Sequence, residues 1–403
     1  MIKEYKTHYK SNNFLLYGFS FFKSLQFFGS LCVPFYLIRL ELSYTWMFVI
    51  ETIFSVCVFL FEVPTGIIAD KFGRKTSLFL GSLGFGISFF ILGFTKNIPF
   101  LIFSQIIGAV GMSLISGADS SLIYENAKSV EKSPEEISVI ASRYSGFSTV
   151  AMLLAFPLGS LFVSSGIMEY KTALGFVFVL TGIGLFIASF LVIFIKEPKS
   201  ENGNSEKSAK SSILENAKGC LEAFTNPSLR RTSLNYSIIS AFTFLMFWFY
   251  QSLLFENKVD IGWNGFVAAG FNLAASLLLF ASGFIQKKLG TNKTIFLSAL
   301  IPGLLYILIF AFYNNLVVIL LGIFGVTMLK LFRDPIMITQ MNTKISDENR
   351  ATVLSGVSMF SRIVIAIFYP LSGLLMDSNP KITYLIIGLA TVLCSIFLRE
   401  KAE

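Results

Sequence analysis

Twelve apolar stretches, each long enough to cross a lipid bilayer, constrain this chain more than any other feature. They fall at about 14–38, 47–69, 77–95, 98–124, 144–167, 172–195, 232–255, 262–286, 294–313, 315–340, 351–376 and 382–398. A hydrocarbon core about 30 Å thick takes roughly 20 apolar residues of helix to span. Within it every backbone polar group must bond inside its own segment, which selects helices. Only 14% of the 403 residues are charged and 54% are hydrophobic, against about 25% charged in soluble domains. A soluble enzyme, a disordered chain and a disulfide-stapled secreted domain are therefore excluded. The predicted fold class is an all-α membrane protein with twelve transmembrane helices. The first stretch is too long for a signal-peptide core and lacks a small-residue cleavage site, so it reads as a retained helix.

Lysine and arginine orient the spans. Both termini and the even-to-odd connections carry 23 of the 32 basic residues. The opposite connections carry five: Arg39, Lys96, Lys171, Lys258 and Lys381. The split predicts cytoplasmic termini and a multi-pass protein of the cytoplasmic membrane. The net charge of +8 then reports topology. It is scattered over short loops and does not suggest nucleic acid as a partner. The longest connection, 196–231, begins as a polar linker. It ends in a stretch where Ile213, Leu214, Ala217, Leu221 and Phe224 recur at helical spacing, the pattern of a short amphipathic surface helix. Residues 1–195 and 232–403 are predicted to form two six-helix bundles on either side of it.

Enzyme chemistry has no foothold. Cys32, Cys57, Cys220 and Cys394 are far apart, and His8 is the single histidine, so no thiolate or histidine metal site is indicated. The nucleophile-elbow, Walker, zinc-protease and C-x-x-C patterns are missing. No cofactor is implied, and the expected function is not enzymatic.

The two halves repeat. Gly66-x-x-x-Asp70-x-x-Gly73-Arg74-Lys75 follows span 2, and Gly283-x-x-x-Lys287-x-x-Gly290 follows span 8 at an offset of 217. Phe156-Pro157-Leu158 in span 5 returns as Tyr369-Pro370-Leu371 in span 11 at an offset of 213. Repeated six-helix halves mark a large class of carriers. The first loop resembles the signature loop of the major facilitator superfamily, and the central connection and span count agree with that family along the whole chain.

The resemblance implies a secondary carrier that rocks two halves around a midplane site. It implies that Asp70 meets the start of helix 11, near Arg350, in the outward-open state. Arg74 and Lys75 would hold nearby acids or lipid headgroups, with Glu125 as a candidate. In physical terms Gly66 is expected to permit close helix packing and Gly73 a tight turn. Glu62, one turn before Gly66, is expected to pack near this latch, with proton coupling as the alternative.

Ionisable residues inside spans suggest function by default. Lys23, Asp119, Arg333, Asp334 and Arg362 are the clear cases. Helical spacing puts Gln26 and Phe27 on the face of Lys23, a suitable ligand wall; the alternative is a lysine snorkelling to the surface. Arg362 is expected either to meet a ligand anion or to pair with Asp334. Asp119 faces Arg333 in a cytoplasmic gate, pairs inside its bundle, or carries a proton. Thr243, with Ser240 and Gln251, adds hydrogen-bonding capacity on span 7, while Trp248 and Tyr250 suit an interfacial belt. Three deep positive charges against two negative favour an anionic or zwitterionic cargo.

The predicted function is thus a monomeric secondary transporter of a small organic solute, drawing on protons. Two alternatives stand beside it: a multidrug exporter for amphiphilic compounds, and a non-transporting receptor on the same fold. The exporter motif of helix 5 is poorly kept, since Ala155-Phe156-Pro157 lacks the glycine before proline.

Overall fold

The computed structural model describes residues 2–128, 130, 132–197, 219, 221, 223–345 and 350–399, and among them no strand occurs. Helices α1 (Ile2–Lys23) and α2 (Cys32–Pro34) are followed by a π-helical turn (Phe35–Arg39). Then come α3 (Tyr44–Phe72), α4 (Arg74–Phe94), α5 (Ile98–Ile115), α6 (Ala118–Lys128), α7 (Pro134–Ser164) and α8 (Tyr170–Ile193). After the linker stand α9 (Pro227–Phe244), α10 (Met246–Glu256), α11 (Gly262–Phe280), α12 (Ser282–Leu289), α13 (Thr291–Ala311), α14 (Leu316–Asn342), α15 (Arg350–Ser378) and α16 (Pro380–Phe397).

Among the described residues, eleven stretches of helix are long and apolar enough to cross a membrane. The twelfth expected span, 14–38, is interrupted instead: α1 ends at Lys23 and turns occupy 24–31. Side chains brace the break, and one of them takes over a backbone bond that the helix gives up. Ser24 and Ser148 share a hydrogen bond of 2.7 Å, Ser30 and Ser160 one of 2.8 Å, and the Phe27 N–H donates to the Thr181 hydroxyl at 3.1 Å. Gly159 lets α7 press against the Phe27 carbonyl, where a Cβ would have no room. Span 4 breaks at Ser116-Gly117, with Gly117 at φ +80°. Span 7 breaks at the single residue Leu245, and nearby the Phe242 carbonyl takes the Tyr306 hydroxyl at 2.9 Å. Spans 1 and 7 are corresponding positions of the two repeats.

The chain divides into two compact units. The first comprises Met1–Leu31 and Ile53–Ser212. Its core joins Leu16 and Phe19 of α1, Leu78 of α4, Leu122 of α6, Tyr144 of α7 and Val192 of α8. Helices α4 and α8 cross closely at Gly86 and Gly182, each of which a Cβ would push onto the other's carbonyl. The second unit comprises Cys32–Thr52 and Ile213–Glu403. There α13 and α16 cross the same way at Gly303 and Gly388. The hydrogen-bonded pair Ser237–Ser361, at 2.7 Å, repeats Ser24–Ser148 at the offset of 213.

Of the predicted amphipathic helix, Ile213, Leu214 and Ala217 lie outside the described residues, as does Cys220. Its end is helical: Ala223 is buried against Met341 and Val353, and the Phe224 ring lies against Phe360 at a tilt of 56° with centroids 4.4 Å apart.

Candidate functional site

In the first unit, two helix breaks bring three polar side chains together. Lys23 is the last residue of α1, and Asp119 lies in the first turn of α6. A cation at a helix C-terminus and an anion at an N-terminus each oppose the local end of the helix dipole. The Lys23 ammonium donates to Asp119 Oδ2 at 2.9 Å and to the Tyr144 hydroxyl oxygen at 2.9 Å, and the Tyr144 hydroxyl donates to the same Oδ2 at 2.8 Å. The ammonium also stands over the Tyr144 ring, 5.1 Å from its centroid. Lys23 and Asp119 side chains keep 20% and 16% exposure, so the surrounding side chains do not seal the pair completely. Asp119 therefore pairs inside its own bundle. Lys23 is tied to a carboxylate, not extended toward a surface.

Gln26 and Phe27 do not extend the Lys23 face. The helix stops at Lys23, and both residues sit in the turns at 24–31, half-buried. The local reason is the hydroxyl and glycine packing of that segment against α7, which outcompetes helix continuation.

In the second unit, Arg333 is buried on α14 and its guanidinium bonds the side-chain oxygen of Asn235 on α9. Asp334 pairs with Lys330 one turn earlier, at 3.0 Å, and accepts from the Ser240 hydroxyl at 3.1 Å. Lys330 thus adds a fourth positive charge to the deep set counted from sequence. Arg362 is half-buried and makes no ion pair or hydrogen bond with the described residues, so the suggested Asp334 pairing is not formed. Thr243 is buried and donates to its own helix, to the Ile239 carbonyl at 2.7 Å. Trp248 and Tyr250 are buried, at 7% and 0% exposure, and do not form a lipid-facing belt.

The Gly66–Lys75 loop is a connected electrostatic device. Gly73 has φ +94°, a conformation that favours glycine, and starts α4. Arg74 bonds Asp70 at 2.8 Å and approaches Glu125 at 3.8 Å, the partner expected from sequence. Glu197, beyond span 6, accepts from the backbone N–H groups of Arg74 and Lys75, capping α4. The Lys75 ammonium donates to the Ile193 carbonyl at 2.7 Å, at the end of α8. Gly66 differs from expectation: a side chain there would meet nothing within 4 Å, so the residue is not needed for close packing. Glu62 is exposed, and Arg350 is the exposed first residue of α15. In the second copy Gly290, at φ +81°, repeats Gly73, and Lys287 and Lys288 complement the C-terminus of α12.

Sequence reasoning missed four of these participants. Lys330 was legible as an i, i+4 partner of Asp334. Glu197 was visible as an acid directly after span 6. Tyr144 and Asn235 carry no periodic signal in apolar spans, and only the packing of α1 on α7 and of α9 on α14 singles them out. A separate groove of about 570 Å³ between α1 and the start of α7 includes Lys10, Tyr17, Glu135 and Arg143 in its lining and shares no residue with the Lys23 cluster.

Solved structures share this fold at low identity. The nucleoside transporter NupG aligns over 96% of this chain and 98% of its own, at 12% identity and a TM-score of 0.79. A bacterial homologue of the human lysosomal transporter Spinster, in an inward-facing and unoccupied conformation, covers 97% and 95% at 16% identity and 0.73. The peptide transporter POT in complex with sulfate covers 96% and 93% at 14% and 0.70. No curated protein matches significantly. The Major Facilitator Superfamily model matches residues 19–339 and 257–403. With the repeated halves, the loop at 66–75 and transporter folds on every side of it, the chain belongs to the Major Facilitator Superfamily and is a non-enzymatic membrane transporter.

Proposed function

We propose that this protein is a secondary carrier of a small, polar organic solute, working by alternating access in the cytoplasmic membrane with both termini inside. The observation that carries the reading is the Lys23–Asp119–Tyr144 cluster, held at the ends of two broken helices and not fully buried. Broken helices in a carrier free helix ends and backbone groups for cargo at mid-membrane depth. The cluster offers an ammonium, a carboxylate and a hydroxyl within one hydrogen-bond length of each other. That set matches a zwitterion, whose two charges would replace Lys23 and Asp119 as each other's partners. Gln26 and Phe27, in the adjacent turns, are the neighbouring wall. Arg362 supplies a cation uncompensated by the described residues, which also favours cargo with an anionic group.

Protons are the proposed coupling ion, with Asp119, the carboxylate of this cluster, as carrier. Each six-helix repeat is proposed to act as one half of the carrier, and the monomer as the working unit.

A thermal-shift screen of purified protein tests the cargo class. Zwitterions and organic anions should raise the unfolding midpoint, because a ligand stabilises the folded state in proportion to the logarithm of its concentration over its dissociation constant. Lys23→Ala should abolish that shift. Stabilisation by lipophilic cations, indifferent to Lys23→Ala, would overturn this reading in favour of a drug exporter.

A further inference from the structure

The second unit holds a second electrostatic latch, at the end of the spans opposite the Gly66–Lys75 loop. Asp377, in the last turn of α15, accepts three hydrogen bonds: from the Tyr44 N–H at 2.8 Å, the Thr45 N–H at 2.9 Å and the Thr45 hydroxyl at 2.5 Å. Tyr44 and Thr45 open α3, whose first N–H groups have no partner within the helix. A carboxylate from another helix satisfies them and sits at the positive end of the α3 dipole.

The approach is built for closeness. A Cβ on Gly373, one turn before Asp377, would lie 2.7 Å from the Thr45 Cα and 2.8 Å from the Tyr44 carbonyl. Beside it the Tyr44 hydroxyl donates to Ser252 at 2.7 Å, and the Val33 N–H donates to the Gln251 side-chain oxygen at 2.9 Å. Phe48 is fully buried against Trp248, Phe249 and Tyr369.

These contacts join the tip of the first repeat, residues 32–52, to helices of the second. A carrier that exposes its two sides in turn must part them once per cycle. We propose that Asp377 is the positioning residue that holds this end of the carrier shut; the proposal rests on the alternating-access reading above. The bonds suit reversible use. Asp377 is exposed, so on release its charge returns to water and incurs no burial penalty. A cap meant only to stabilise α3 already exists locally, since the Ser43 hydroxyl accepts from the Trp46 N–H at 3.3 Å. Helix α3 then carries a latch at each end: Asp377 seated on its N-terminus, and its own Asp70 near its C-terminus.

Cys32 is a native reporter of this seam, being 3% exposed and adjacent to Val33. The experiment takes purified full-length protein with Cys57, Cys220 and Cys394 replaced by serine and measures the rate of maleimide labelling at Cys32. Asp377→Ala, which removes three hydrogen bonds, should raise the rate by about 5- to 20-fold. Thr45→Val keeps the carboxylate and two bonds and should raise it by about 2- to 5-fold. Both should unfold thermally within about 3 °C of the parent, since an exposed polar contact adds little to global stability. Labelling within twofold of the parent in both variants would overturn the proposal, as would labelling that rises only in step with a falling unfolding midpoint. If Asp377→Ala does not fold, Thr45→Val alone decides between these outcomes. Labelling needs no cargo. Faster labelling without flux of any solute would therefore count against the carrier reading and leave the latch standing.

Discussion

Lys23 and Asp119 show how a charge becomes tolerable inside an apolar bundle. Neither is stabilised by water alone. Each stands at the helix end that favours its sign, and each completes the other's bonding with Tyr144 as third member. Removing one partner strands the other. Asp119→Asn should destabilise the folded protein by about 1–3 kcal/mol, below the full cost of breaking a buried pair because both groups keep some exposure. The double variant Lys23→Met with Asp119→Leu should cost less than Asp119→Asn, and thermal unfolding of the three proteins checks this. A double-variant loss equal to the sum of the losses in Lys23→Met and Asp119→Leu alone would mean the pair is not coupled. At the loop, Gly73→Ala should cost about 1–3 kcal/mol through backbone strain and through collision with the Glu197 carboxylate. Gly66→Ala should be near neutral, because a methyl group there meets nothing. The charged residues were legible in the sequence because charge in an apolar span is rare. Their partners were not, because Tyr144 and Asn235 look like ordinary span residues until the helices are packed.

The twelve spans were legible as elements, since a bilayer demands length and apolarity that a sequence displays directly. The breaks were not. The apolar stretch runs on through Leu25, Phe27 and Phe28, yet the helix ends at Lys23 and the backbone turns, the Gln26 N–H donating to the Ser24 carbonyl at 2.9 Å and the Phe27 N–H to the Thr181 hydroxyl at 3.1 Å. The same blindness misplaced Gln26 and Phe27 on a helical face. Gly159 is the test of this account. Gly159→Ala would drive a methyl group into the Phe27 carbonyl and should reduce the yield of folded protein several-fold, since overpacking costs about 1–3 kcal/mol and losses of that order lower abundance. Gly146→Ala, on the same helix in open space, should express normally. Size-exclusion profiles of the two variants distinguish them, and equal profiles would remove the break from the list of structural requirements.

At the scale of the molecule, the duplication is deeper than two motifs. The offset of 213 that relates Pro157 to Pro370 also relates Ser24–Ser148 to Ser237–Ser361, and the offset of 217 relates Gly86 to Gly303. Both repeats therefore use one packing plan, with different chemistry set into it: an ion pair at Lys23–Asp119, and an arginine–amide contact at Arg333–Asn235. The loop after span 2 kept its acid, and its copy after span 8 holds lysines instead. Asp70→Asn should slow flux into proteoliposomes by about tenfold, the order expected for losing one charge-assisted contact, without lowering the thermal midpoint. Unchanged flux would reduce the loop to a topology anchor. Finally, residues 32–52 lie in the unit otherwise built from Ile213 onward. During synthesis they reach the membrane first but wait about 200 residues for Trp248 and roughly 300 for Asp377. At about 5–20 residues per second, that is some 10–60 seconds with Phe48 and the start of α3 unmatched. The first hairpin is thus the part of this protein most in need of shelter while the chain is still being made.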